Sequence, residues 1–249
     1  MRVKILIYIV CIGFLACKPV KHELGYTPSY VSVEQADEDA KLNKIIAPYK
    51  TSLDVEMNKV IGKSDMPFPK QLNLPETVLG NLVADLTLEF ARTVLKETDF
   101  SVLNNGGLRS SLPEGDITLR NVFEIMPFDN EVVILTIKGE ELNKLVQYIA
   151  GRGGVPVSGM TMVLKKTDAV FNAGEVMING IPVDAEKNYK VATSDYLATG
   201  GDSMNFWSTD GMIKTNKKLR DAIIDFIRFK TDKNEWVHSE LDNRIRIVE

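Results

Sequence analysis

Apolar residues Leu42, Ile45, Ile46, Tyr49, Leu53 and Met57 recur at helical spacing and predict one helix from Glu34 to about Val60. Pro48 lies inside it, so a kink or break is expected where the ladder loses an N–H. Met66-Pro67-Phe68-Pro69 reads as a linker, and Pro75-Glu76-Thr77 opens a helix running to about Lys96. Phe100-Ser101-Val102-Leu103 and Tyr189-Lys190-Val191-Ala192-Thr193 are short β-type runs, and Glu131 to Ile137 is a continuous apolar strand. Helices are expected over Thr118 to about Ile125, Glu141 to Ala150 and Lys217 to Phe229. Met160 to Lys165 alternates as a strand, Glu175 to Pro182 predicts a hairpin through Asn179-Gly180, and Arg244 to Val248 is a last strand. Strands and helices interleave with hairpins and nothing repeats. The expectation is a single α+β domain over 34–249, with a mixed β-sheet flanked by helices.

The N-terminus follows another logic. Met1-Arg2-Val3-Lys4 is basic, Ile5 to Leu15 is apolar but too short to span a bilayer, and Phe14-Leu15-Ala16-Cys17 resembles a bacterial lipobox. This implies a signal peptide over 1–16 of lipoprotein type, Cys17 as the lipidated residue and a polar tether over 17–33. An ordinary cleaved signal peptide is the alternative. Lipidation would place the chain in the cell envelope, anchored to a membrane and facing the periplasm or the outer membrane. Cleavage would remove Cys11, and acylation would occupy Cys17, leaving no thiol for a disulfide or a nucleophile. Stability must then come from the core, which a chain of this length can supply.

The formal net charge is −4, with 44% hydrophobic and 26% charged residues. That mild acidity, without a Lys/Arg cluster interleaved with aromatics, excludes a general nucleic-acid binder.

Two glycine pairs close the short strands. Asn104-Asn105-Gly106-Gly107-Leu108-Arg109 follows the first, and Tyr196-Leu197-Ala198-Thr199-Gly200-Gly201-Asp202 the second. Paired glycines permit positive φ and close backbone approach to a ligand. Between them, Met126-Pro127-Phe128-Asp129-Asn130 presents an aromatic at a turn. Arg109 offers a planar cation, Asp202 an anion, and Phe128 and Tyr196 two stacking faces, a set that suits a nucleoside phosphate. Taken singly, a glycine pair is a turn and a phenylalanine after proline belongs to a core.

In order and spacing these segments, with Gly115-Asp116-Ile117-Thr118 leading to Pro127-Phe128, resemble the C-terminal, substrate-binding domain of the 5'-nucleotidases over roughly residues 35–247. The resemblance implies that domain's α+β fold. It implies that Phe128 and Tyr196 sandwich a base, with Tyr196 where the family usually has Phe. Asp202 would accept from the ribose hydroxyls, Asn104 would lie near the base edge, and Arg109 would reach the phosphate or ribose side. Gly106, Gly107, Gly200 and Gly201 would shape the two loops. The family also has an arginine on the preceding helix. The nearest candidate is Arg92, one position before Thr93, where the family arginine is expected to fall.

The full family enzyme carries two metals in an N-terminal metallophosphatase domain, and the resemblance does not extend to that domain. The two histidines, His22 and His238, belong to no ligand-like cluster, and the carboxylates scatter over helix faces and turns. No Gly-x-Ser-x-Gly elbow occurs. Gly62-Lys63-Ser64 lacks the earlier glycine of a phosphate loop, that position being Met57. Gly151-Arg152-Gly153-Gly154 continues as Val155-Pro156, not as a dinucleotide fingerprint. No catalytic residue, metal site or cofactor is therefore expected in these residues. The resemblance implies a subunit that binds a nucleotide or nucleoside and supplies the substrate site to a separately encoded metallophosphatase holding the divalent metals. The alternatives are a surface lipoprotein that binds nucleosides or nucleotides without hydrolysis, and a structural lipoprotein that has lost the ligand.

Overall fold

The computed structural model describes residue 29 and residues 39–168 and 170–248. The expected signal peptide, Cys17 and all of the tether except residue 29 lie outside the described residues. The chain divides into two units, Met1–Ile46 and Ala47–Glu249. In the first, Asp39 caps the start of helix α1 (Ala40–Met57), its Oδ1 accepting from the backbone N of Lys41 at 2.7 Å. The helix runs through Pro48 without the expected break. In the second unit its side chains Tyr49 and Leu53 are exposed, so the helical stripe read from the sequence is not a core stripe there.

The second unit continues with β1 (Val60–Ser64), α2 (Val78–Val94), β2 (Phe100–Val102), β3 (Gly115–Thr118), α3 (Leu119–Ile125), β4 (Glu131–Lys138) and α4 (Gly139–Gly151). Then come β5 (Val157–Ser158), β6 (Met160–Thr167), β7 (Val170–Ile178), β8 (Ile181–Pro182), β9 (Asn188–Ser194) and α5 (Asp195–Ala198). Strand β10 (Ile213–Lys218), α6 (Leu219–Asp232) and β11 (Ile245–Val248) complete it. Three sheets form: β10-β4-β9-β2-β5, β11-β6-β7-β8 and the pair β1-β3. The first is mixed, because β9 pairs β2 in parallel and β4 antiparallel. The result is an α+β fold with several sheets flanked by helices, not one sheet.

The apolar run of β4 is buried on both faces. Val133, Leu135 and Ile137 pack with α4 residues Leu142, Leu145 and Ile149, while Val132 packs with Leu79 and Leu82 of α2 and Ile223 of α6. A strand covered on both sides needs no polar alternation. Helix α2 is capped as expected, the backbone N of Gly80 donating to Thr77 Oγ1 at 3.0 Å. The Met66–Pro69 segment is more than a linker. Phe68 is fully buried and exchanges backbone hydrogen bonds with Leu112, both at 2.9 Å. The Asn179-Gly180 turn has φ values of 52° and 75°, the geometry that a two-residue hairpin requires.

Candidate functional site

Strand pairing brings the three sequence motifs to one place. Strands β2 and β9 are parallel neighbours, with Phe100 opposite Val191, so the loops after them leave the sheet at the same end. Strand β4 runs antiparallel to β9, with Val132 opposite Ser194, so the turn that precedes β4 lies at that end too. The backbone N of Glu131 donates to Asp195 Oδ1 at 3.0 Å and ties that turn to the second loop. The backbone N of Arg109 donates to Ile125 O at 2.8 Å and ties the first loop to the end of α3.

Between these loops lies a cleft of about 330 Å³ lined by Asn104, Gly106, Gly107, Arg109, Phe128, Asn130, Tyr196 and Asp202. Phe128 and Tyr196 leave 40% and 47% of their surface exposed, so both rings offer a face. The Arg109 guanidinium lies 6.0 Å from the Phe128 ring centre and donates to Gly106 O at 3.3 Å. Side chains at two loop glycines would crowd their neighbours, against backbone at Gly201 and against the Asn104 side chain at Gly107. A Cβ on Gly201 would lie 2.4 Å from Tyr196 O, and one on Gly107 would lie 2.9 Å from Asn104 Oδ1.

Asp202 is the most constrained residue of the cleft. It has a left-handed backbone, φ 53° and ψ 27°, and Ser203 follows at φ 68°. Its backbone N donates to the Tyr196 hydroxyl at 3.1 Å, and its Oδ2 accepts from Asn104 Nδ2 at 3.2 Å. Arg152 donates to its main-chain O at 2.7 Å and reaches its carboxylate at 3.1 Å. The Tyr148 hydroxyl donates to the same O at 3.1 Å. Burial and then the charge of Asp202 push the Tyr148 phenol up to about 12, so it stays protonated.

A second cation holds the aromatic turn. Arg220, buried at the start of α6, donates to Met126 O at 3.3 Å and Phe128 O at 3.2 Å and pairs with the Asp129 carboxylate. Its guanidinium stacks 4.3 Å from the Phe123 ring. Lys218 reaches Asp129 at 2.9 Å, and the hydrogen bonds from Lys218 and then Arg220 hold that carboxyl below the usual range.

The cleft thus gathers Asn104, Gly106, Gly107, Arg109, Phe128, Tyr196 and Asp202, with Gly200 (φ 97°) and Gly201 shaping its second loop. Arg92 is elsewhere. It donates to Thr98 O at 3.0 Å, Asp99 O at 3.2 Å and Asn179 Oδ1 at 3.3 Å. Thr98 and Asp99 precede β2, whereas the glycine loop follows it, so Arg92 serves the opposite end of that strand. Thr93 lines a separate groove between α2 and α6, with Phe90, Phe226 and Phe229. Asn104 commits its amide to Asp202, which sets it beside the carboxylate. The sequence reading assigned no role to Asn130, Arg152 or Arg220. Asn130 sits in the turn already singled out, and Arg152 sits in a glycine-rich segment. Nothing near Arg220 in sequence marks it. Among the described residues no group of three or more His, Cys, Asp and Glu is placed to hold a metal ion.

Known proteins resemble this chain over part of their length. The chain is 30% identical over 193 residues to Protein UshA of Escherichia coli K12, covering 74% of this chain and 34% of that one. It is 23% identical over 231 residues to Cell wall protein Lmo0130 of Listeria monocytogenes, covering 88% of this chain and 29% of the other. The chain spans about a third of the length of the curated relatives it matches. The crystal structure of a 5'-nucleotidase precursor from Thermus thermophilus superposes with a TM-score of 0.71 at 24% identity, covering 85% of this chain and 44% of that one, so the fold is shared. The family described as 5'-nucleotidase, C-terminal domain, matches residues 60–209, which hold both glycine loops, the aromatic turn and Arg152, and the chain belongs to that family.

Proposed function

We propose that this chain is a nucleotide-binding subunit of the cell envelope, lipid-anchored through Cys17. It would supply the base, ribose and phosphate site for hydrolysis of a nucleoside phosphate by a separate metallophosphatase chain. The observation that carries the ligand class is the single cleft in which Phe128, Tyr196, Arg109 and Asp202 meet. A base stacks between Phe128 and Tyr196. The Asp202 carboxylate accepts from two vicinal hydroxyls, and the Arg109 fork faces the phosphate. The divalent metals of the family reaction would reside on the partner and supply the activated water there. Binding, orienting and shielding the nucleoside end is the work left to this chain. The name of the Listeria relative, a cell wall protein, supports an envelope location.

Calorimetry with AMP, adenosine and adenine tests the site. AMP is expected to bind most tightly, and Asp202→Ala should weaken adenosine while sparing adenine. Equal behaviour of the three ligands in wild type and variant would sink the ribose assignment. Labelled fatty acid should enter the wild-type chain in cells and not Cys17→Ser. Equal labelling of both would remove the anchor.

A further inference from the structure

Asp202 combines a left-handed backbone with a carboxylate facing the cleft. A conformation of that kind persists only where its surroundings over-determine it. Arg152 touches Asp202 at two atoms, the main-chain O at 2.7 Å and Oδ1 at 3.1 Å. Arg152 is fixed in turn. It caps the C-terminus of α4, and its guanidinium stacks 4.5 Å from the Tyr148 ring, whose hydroxyl donates to the same Asp202 carbonyl. Tyr148 packs against Phe206, with ring centres 5.8 Å apart, so the clamp rests on the core. Arg152 does not line the cleft, and whatever it does for a ligand passes through Asp202.

We infer that Arg152, braced by Tyr148, is a positioning residue that aims the Asp202 carboxylate at the ribose of a bound nucleoside. The inference rests on the proposed ribose role of Asp202. Its mechanism is geometric and electrostatic. One nitrogen, Arg152 Nη2, meets both the carbonyl and the carboxylate oxygen, and the planar guanidinium that carries it is held by stacking on the Tyr148 ring, which a lysine point charge does less well. With the guanidinium gone, Asp202 would lose one of its backbone anchors and the charge that offsets its own. Oδ2 keeps its Asn104 contact, but the carboxylate plane would be free to turn.

The test compares adenosine with adenine by calorimetry, reading the ratio of their affinities as the ribose contribution. Arg152→Ala should lower that ratio about tenfold while leaving adenine unchanged. Arg152→Lys should fall short of wild type. Tyr148→Phe, which keeps the ring and loses the hydroxyl, should lower the ratio about threefold. In an Asp202→Ala background Arg152→Ala should change nothing further. A loss of folding would depress adenine and adenosine alike, so the ratio separates positioning from collapse. If Asp202→Ala abolishes the ribose contribution and both Arg152→Ala and Tyr148→Phe preserve it, the positioning role is wrong and the ribose role of Asp202 stands. If Asp202→Ala itself preserves the ratio, the ribose role fails and the inference goes with it.

Discussion

Phe128 and Tyr196 are half-exposed aromatics facing one cleft, and that is the residue-scale fact with the largest consequence. Stacking on a base contributes about 1–3 kcal/mol per ring and tolerates base identity. Phe128→Ala and Tyr196→Ala should therefore each weaken AMP binding by roughly 5- to 150-fold in calorimetry. Tyr196→Phe should keep the stacking share, because it loses only the hydroxyl that accepts from the Asp202 N–H. Gly201→Ala is a stability prediction: a methyl 2.4 Å from a backbone carbonyl forces the loop to shift. The expected cost is about 1–3 kcal/mol in a denaturant titration, with weaker nucleotide binding. These residues were legible in the sequence because glycine pairs and a Pro-Phe turn advertise backbone geometry. Arg152 and Arg220 were not, because an arginine on a helix or at its cap looks the same whether it faces water or grips a carbonyl across the fold. Arg92 was misjudged for the same reason. The arginine that the resembled family has on the helix before the first glycine loop suggested Arg92, while strand β2 carries the chain to the other end of the sheet before that loop begins.

At the scale of elements, the helices and strands β4, β6 and β9 were readable from periodicity, only the second half of β7 was, and the exceptions have physical causes. Strand β10 was not legible, and its last two residues read as part of the helix that follows, because Lys217 and Lys218 give no local boundary signal. Strands β1 and β3 are short and exist through pairing with one another, which no local pattern records. The link between α6 and the aromatic turn invites a pH test. Asp129 is held below the usual carboxyl range by Lys218 and then Arg220. A carboxyl depressed in the folded state adds stability that is fully present above its unfolded value of about 4, and loses it as pH falls through the folded value. The midpoint of thermal unfolding should therefore drop on acidification below about pH 4. Asp129→Asn should start lower at neutral pH and drop less. An identical acid limb in both proteins would show that the Lys218–Asp129–Arg220 group does not couple to folding.

For the whole molecule, the decisive relation is between strand order and site. A parallel β2-β9 pair beside an antiparallel β4 gathers three segments spread over about a hundred residues. Order and spacing of the motifs were visible along the chain. Their convergence follows from the pairing. The cleft offers two ring faces, a guanidinium and a carboxylate held by Arg152 and Asn104. Activation of water by two metals calls for ions about 3.5–4 Å apart held by several His, Asp and Asn ligands. The sequence holds two histidines, and His238 is taken up by Asp65 at 2.9 Å. The purified chain is therefore expected to release no phosphate from AMP, with or without Mn²⁺, Zn²⁺ or Mg²⁺. Addition of a metallophosphatase chain that lacks this domain should start the reaction. Arg109→Ala should then slow it, by roughly 10- to 100-fold if one charged hydrogen bond of about 1.5–3 kcal/mol is lost. The measurement is phosphate release over time, with each chain alone as control. Steady release by this chain alone, abolished by a chelator, would mean that its carboxylates assemble a metal site on binding substrate, and the two-chain division of labour would fall.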